Sequence, residues 1–188
     1  NNPKYVLNKG MAFVSEDRRG VGLLLDEPID LNIAFTAMQV KNDFIKKVIG
    51  LNWRDDDKIT KNANEYIEKF EIKCTGEKQK AKELSGGNQQ KICLARAFTM
   101  DPELLFVSEP TRGIDVGAKK LVLETLKEYN EKHGTTIVIA SSELEELRSI
   151  CHRIAIVNEG KIAGILPGKS DPIEFGELMI GKEGNKDE

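Results

Sequence analysis

Leu84-Ser85-Gly86-Gly87-Asn88-Gln89-Gln90-Lys91 decides how this chain is read. Two adjacent glycines let an anion approach the backbone closely. A helical pattern opens directly after them, so free N–H groups and the positive end of the helix dipole face the same point. Ser85 adds a hydroxyl. The stretch reads as an anion cradle without a lysine clamp. A glycine pair ahead of a helix is equally compatible with an ordinary turn, so the flanking sequence has to arbitrate.

Downstream the pattern is α/β. A helix is predicted from about Gly87 to Met100, stopped by Asp101-Pro102. Leu104-Leu105-Phe106-Val107 follows as a continuous apolar run, the type buried on both faces of a parallel sheet. A second helix runs from about Val116 to Lys132, with Val122, Leu126 and Tyr129 on one face and Gly134 as its stop. Thr135–Ala140 reads as another buried strand. Ser142-x-x-Glu145 has capping-box spacing and opens a short helix. Arg153–Val157 and Lys161–Ile165 flank Asn158-Glu159-Gly160, a hairpin signal. The charged tail after Gly181 reads as frayed.

Upstream, Met11–Ser15 reads as a buried strand ended by the charged stretch Glu16-Asp17-Arg18-Arg19-Gly20. From about Asp30 to Cys74 the chain turns polar and helical. Ile59, Ala63, Tyr66, Ile67 and Phe70 form the stripe of an amphipathic helix. Trp53 and Asp55-Asp56-Asp57 precede it in a loop and helix start. That acidic run reads as a solvated first turn favoured by the helix dipole, not a metal site. Strand alternating with helix implies right-handed crossovers, a parallel sheet between helices and ligands beyond the carboxyl ends of the strands.

Composition excludes several classes. Hydrophobic residues make up 39% and charged residues 31% of the 188 residues, which rules out a disordered or low-complexity chain. Lys and Arg number 28 against 31 Asp and Glu, for a net charge of −3 and no global pull toward nucleic acid or anionic lipid. No apolar run approaches the ~20 residues that span a bilayer. Cys74, Cys93 and Cys151 show neither metal-ligand spacing nor an even count, and read as free thiols in a reducing compartment. His133, ahead of Gly134 at a helix end, and His152 have no partner at ligand spacing, and neither reads as catalytic.

The octapeptide resembles the signature motif of ATP-binding-cassette (ABC) ATPases, in the form found in simple-sugar and nucleoside importers. The likeness extends in both directions, from about Gly10 to Gly181. Leu104–Gly117 is similar to the family's Walker B strand, catalytic glutamate and D-loop. Ser141-Ser142-Glu143 falls at the switch histidine, where the C-terminal cassette of this subfamily commonly carries serine. Phe13–Arg19 resembles that cassette's Q-loop region, with Glu16 in the glutamine's place. The fold implied is a partial RecA-like ABC ATPase core, α/β, with an α-helical subdomain. Its boundaries would be 1–29 for the first strand and Q-loop region, 30–83 for the helical part, 84–168 for the core and 169–188 for the tail.

The resemblance implies site residues. Glu109 would be the general base and Ser142 would stand at the switch. Ser85, Gly86, Gly87, Gln89 and Asp115 would meet nucleotide, while Glu16 and Ser108 would be weak Mg²⁺ contacts. Ser108 departs from the family's aspartate, and a neutral hydroxyl suits a hard cation poorly. A P-loop needs G-x-x-x-x-G-K-[ST] between strand and helix. The near match Gly164-Ile165-Leu166-Pro167-Gly168-Lys169-Ser170 is one residue short, follows a hairpin, and runs into Asp171-Pro172 instead of a helix.

The expectation is a piece of a second cassette that lacks its opening strands and P-loop, with sheet edges and apolar faces uncovered. Alone it would bind ATP weakly or not at all. Cassettes of the family pair head to tail, so Ser85, Gly86 and Gly87 would complete a site on ATP held by another cassette. The implied whole is an ATPase using ATP and Mg²⁺ at the cytoplasmic face of the membrane, driving uptake of ribose, galactose, xylose or a nucleoside. Its partners would be that cassette, a permease subunit touching the helical part and the Q-loop, and indirectly a solute-binding protein. Chromosome-maintenance and DNA-repair ATPases share the signature, but no sustained heptad is present and no nucleic-acid role is expected. A degenerate interaction module without hydrolysis is the remaining alternative.

Overall fold

The computed structural model describes residues 2–48 and 50–181. The chain divides after residue 140 into two compact units, 1–140 and 141–188.

The first unit is built on three parallel strands, β1 (Met11–Val14), β4 (Leu104–Ser108) and β5 (Thr136–Ala140), in the order β1-β4-β5. Phe13 lies beside Phe106, and Phe106 beside Val138. Side chains alternate across a strand. Ala12, Val14, Leu105 and Val107 are buried on one face. Phe13, Phe106 and Val138 stand exposed on the other, at 62%, 40% and 46%. The expected burial of Leu104–Val107 on both faces is therefore corrected. Among the described residues the Phe13–Phe106–Val138 row is left open, so the sheet is covered on one side.

Helix α1 (Pro3–Asn8) leads into β1. Helix α4 (Gly86–Thr99) packs on β1, and α2 (Ile29–Lys41) packs on α4 and on α3 (Asp56–Lys69). Ile92, Leu94, Ala95 and Phe98 of α4 and Ile33, Ala34 and Ala37 of α2 are all buried. The α3 stripe behaves as its spacing predicts: Ile59, Ala63 and Phe70 face inward. Phe98 stacks on Tyr129 of α5 (Val116–His133) with centroids 3.7 Å apart, and Tyr129 stacks on His133 at 4.2 Å. His133 is thus an aromatic neighbour at a helix end. Helix α5 stops at Gly134, which takes a left-handed φ of +69°.

Between α2 and α3 the chain forms an antiparallel hairpin, β2 (Ile45–Val48) with β3 (Leu51–Arg54). The expected loop around Trp53 is corrected: Trp53 lies in β3, paired with Lys46 and 55% exposed. The acidic run does open a helix, with Asp55 as the N-cap of α3.

The second unit holds α6 (Leu144–Ile150), the antiparallel pair β6 (Arg153–Asn158) and β7 (Lys161–Pro167), and α7 (Pro172–Met179). Ile154, Ile156, Phe175 and Leu178 form its core. Glu159 and Gly160 make the hairpin turn with φ of +49° and +75°. Two expectations change here. Glu143, not Ser142, is the N-cap of α6, and it makes no side-chain cap bond. Glu145 bonds forward to Arg148 at 3.0 Å, where a capping box would need it to reach back. Asp171-Pro172 does open a helix: Asp171 accepts from the Ile173 N–H at 2.8 Å, and Pro172 takes the first position. The near match at residues 164–170 does not work as a P-loop: the Gly168 N–H that a phosphate would need already donates to the His152 carbonyl at 2.9 Å. The charged tail predicted to fray lies outside the described residues beyond Gly181.

Candidate nucleotide site

Ser85 is the N-cap of α4, with extended backbone angles (φ −61°, ψ 157°). Its Oγ accepts from the Asn88 N–H at 3.4 Å and from the Asn88 side-chain amide at 3.0 Å. Ser85 is exposed, Gly86 half-buried and Gly87 buried. Only four-residue spacing closes a helix, so the first N–H groups of α4 lack intrahelical partners. Asn88 then turns its Oδ1 to the Lys73 N–H at 3.0 Å, fastening the turn to the chain after α3.

A second loop meets this turn. A Cβ on Gly87 would touch Ile114 and Ala118 at 3.6 Å, ordinary contact. A Cβ on Gly86 would lie 3.3 Å from the Gly113 carbonyl oxygen, tight enough to force a shift. Glycine at 86 lets the two loops approach, and Gly113 turns with φ +68°. Just beyond, Asp115 caps α5, its Oδ1 accepting from the Ala118 N–H at 3.0 Å. That hydrogen bond holds the Asp115 carboxyl below its ordinary value.

The third contributor is the stretch after β1. The Glu16 carboxylate pairs with Arg112 at 2.9 Å. The Arg18 guanidinium donates from Nη1 to the Arg112 carbonyl at 2.8 Å. Asp17 accepts from the Gly20 N–H at 2.8 Å and starts a short π-helical turn, Arg18–Gly22. Glu109 follows β4 with a left-handed φ of +46°, a conformation non-glycine residues rarely keep without surrounding support. Its N–H donates to the Ala140 carbonyl at 2.7 Å, so the end of β5 supplies that support.

The structure thus brings Ser85, Gly86, Gly87, Asp115, Gly113 and the Glu16–Arg112 pair into one connected region. Ser108 ends β4 opposite Ala140, with Glu109 next in the chain. Ser142 belongs to the second unit and is exposed there. Gln89 is corrected as a nucleotide contact. Its side chain is 1% exposed and donates from Nε2 to the Ala81 carbonyl at 3.0 Å, inside the helical packing. One turn into α4, its side chain falls on the helix's buried face. Lys91 is also drawn inward, donating to the Glu71 carbonyl at 3.0 Å, and burial lowers its ammonium below the usual lysine range.

The donor set does not fit a self-sufficient Mg²⁺ site. Glu16 is committed to Arg112, Ser108 is neutral, and a hard cation asks for several carboxylate oxygens. Among the described residues no group of three or more His, Cys, Asp or Glu side chains is arranged to hold a metal. Arg18 and Arg112 join this region without any local sequence signal. Their partners lie 94 and 96 residues away along the chain, so no local spacing could have revealed them.

The chain matches the family model described as ABC transporter over residues 14–112. It is 41% identical over 169 residues to the ribose import ATP-binding protein RbsA of Lactococcus lactis subsp. cremoris (strain SK11), covering 90% of this chain and 33% of that protein. It is 35% identical over 180 residues to the nucleoside import ATP-binding protein NupA of Lactococcus lactis subsp. cremoris (strain MG1363), covering 95% and 34%. The chain therefore spans about a third of the length of these curated relatives. Its fold is similar to that of the ATP-binding cassette MJ0796, solved as a dimer in a post-hydrolysis state bound to ADP and Pi. That match has a TM-score of 0.70 at 21% identity, covering 87% of this chain and 65% of the other. A glycine-opened helix meeting a capped turn at the carboxyl side of a parallel sheet, together with these matches, places the chain in the ABC transporter family.

Proposed function

We propose that this chain is part of the ATP-binding subunit of an ABC importer, and that its own contribution is the signature turn that closes over ATP held by a second cassette. The observation that carries this reading is the geometry at Ser85. An exposed hydroxyl caps a helix that opens with two glycines, and a second loop braces it from the side. A triphosphate oxygen approaching that point would meet a hydroxyl, unpaired N–H groups and the positive helix end together.

Phosphoryl transfer depends on placing groups and on stabilising charge. In this reading the second cassette grips the phosphates through its own P-loop. Ser85 and the Gly86 and Gly87 backbone contact the far side of the γ-phosphoryl group. Glu109, held at the end of β4, orients the attacking water and accepts its proton. Asp115 keeps the neighbouring loop in place. The helical segment, residues 30–83, and the Glu16 region would meet a permease subunit, placing the chain peripherally at the cytoplasmic face of a membrane. Among the described residues no helix is long and apolar enough to cross one. The solute is a simple sugar such as ribose. Nucleoside import is the second reading, favoured by the relative that spans 95% of this chain.

The test is ATP photocrosslinking to this chain mixed with a companion cassette that carries a P-loop, followed by turnover in the complete transporter. Crosslinking at the Ser85 turn only in the mixture, and loss of turnover in Ser85→Ala, are expected. Unchanged turnover in Ser85→Ala would overturn the reading. Normal crosslinking with no turnover would favour a non-hydrolysing module instead.

A further inference from the structure

Three segments far apart in the chain converge on one guanidinium. Arg18 is half-buried at the start of the π-helical turn. Its Nη1 donates to the Arg112 carbonyl at 2.8 Å. Its Nη2 lies 3.5 Å from where a Cβ on Gly86 would stand, and 3.4 Å from the same point on Gly113. Arg112 in turn holds Glu16, two residues before Arg18, at 2.9 Å. The planar fork of arginine suits this arrangement, because it presents donors in two directions from one rigid group. A Cβ at either glycine would rest against that fork at ordinary contact distance; alanine at Gly86 would instead press on the Gly113 carbonyl at 3.3 Å, and at Gly113 it would be strained by the positive φ.

We propose that Arg18 is a positioning residue that locks the Ser85–Gly87 turn and the Arg112–Asp115 loop into one unit, so that both reach the partner-held nucleotide in fixed register. This rests on the signature-donor reading. Arg18 acts through backbone it holds. Its charge, beside Gly86, also reinforces the positive end of α4. Glu16 contributes by holding Arg112 from the other side.

Turnover in the complete transporter, measured for Arg18→Lys, Arg18→Ala and Ser85→Ala, tests this. Lysine keeps the charge but has one point of attachment. Loss of register should lower kcat by roughly 10- to 100-fold in both Arg18 variants, with KM for ATP held within about twofold because the partner grips the phosphates. Amide exchange in this chain gives a readout independent of activity: Arg18→Lys should speed exchange in residues 85–87 and 112–115 together. Should Arg18→Ala fail to fold, Arg18→Lys decides. Wild-type kcat in Arg18→Lys, or faster exchange in one segment alone, overturns the proposal while Ser85→Ala remains inactive. Full turnover in Ser85→Ala overturns the underlying reading instead, so the two failures are separable.

Discussion

Arg96 on α4 reaches Asn32 on α2 twice, donating from Nε to its backbone carbonyl at 2.6 Å and from Nη2 to its Oδ1 at 2.7 Å. Asn32 is fully buried, and its own amide serves the Leu24, Glu27 and Pro28 carbonyls at 2.9, 3.1 and 3.0 Å. Burial pulls the Arg96 guanidinium down from its ordinary value, yet it is hydrogen-bonded rather than orphaned. One side-chain pair thus fastens the helical segment to the helix that carries the signature turn.

Breaking that fastening should be costly. Asn32→Ala leaves a buried cation and several carbonyls short of partners, a loss of about 2–4 kcal/mol in a urea denaturation. Arg96→Ala should lose about as much, and the double variant should show a coupling of roughly 0.5–3 kcal/mol. Additive losses would mean the pair does not couple the two helices.

At Ser85 the capping and the proposed nucleotide contact can be separated. Ser85→Ala should destabilise the chain by about 1 kcal/mol through loss of the cap, whereas Ser85→Asn should restore most of it. If the hydroxyl serves the phosphate, Ser85→Asn regains melting temperature while turnover of the transporter stays low. Recovery of both together would make Ser85 a structural cap alone.

The open face of the sheet predicts association of the isolated chain. Phe13, Phe106 and Val138 stand side by side and exposed, the kind of apolar patch that seeks cover. Sedimentation should show concentration-dependent self-association, reduced in the Phe13→Ser/Phe106→Ser double variant. A monomer at high concentration would contradict this.

Acid should weaken the start of α5. The Asp115 carboxyl sits below its ordinary value of 3.8 because the Ala118 N–H binds its charged form. A group depressed on folding stabilises the fold above its unfolded value and loses that contribution as pH falls through the folded one. Asp115→Asn keeps a capping side chain but not the charge. The stability gap between wild type and variant should therefore be present at neutral pH and close below pH 3.8. A gap constant with pH would count against the assignment.

The three thiols should react in order. Burial pushes the Cys93 thiol up to about 11, with Sγ 3.8 Å from the Gly22 carbonyl, and burial also raises Cys151. Cys74 is half-buried. Alkylation of the native chain at pH 8, followed by peptide mass spectrometry, should label Cys74 first and Cys93 last. Early labelling of Cys93 would mean that α4 opens locally.

Much of the architecture was legible from local signals. The Ser85-Gly86-Gly87 helix start, the Gly134 stop, the α3 stripe from Ile59 to Phe70 and the Glu159-Gly160 turn follow from rules that operate within a few residues. The β2–β3 hairpin was not legible, because its strands are only four residues long, the alternation Leu51-Asn52-Trp53-Arg54 is exposed on both faces, and the turn ahead of β2 uses positive φ at Asn42 and Phe44. The inward rotation of Gln89 was hidden because a glutamine after two glycines reads as solvent-facing until the neighbouring 3₁₀ turn at Ala81–Glu83 is known.

Residue order alone was enough for the family, the β1, α4, β4, α5, β5 succession and the glycine-opened turn, because helix starts, stops and periodic faces are set by neighbours in the chain. Which face of the sheet stays open, that Glu16 is taken by Arg112, and that Arg18 joins two loops were decided only once the chain had closed on itself. Those contacts join residues more than ninety positions apart, and their energies depend on distance and burial, which no local pattern records.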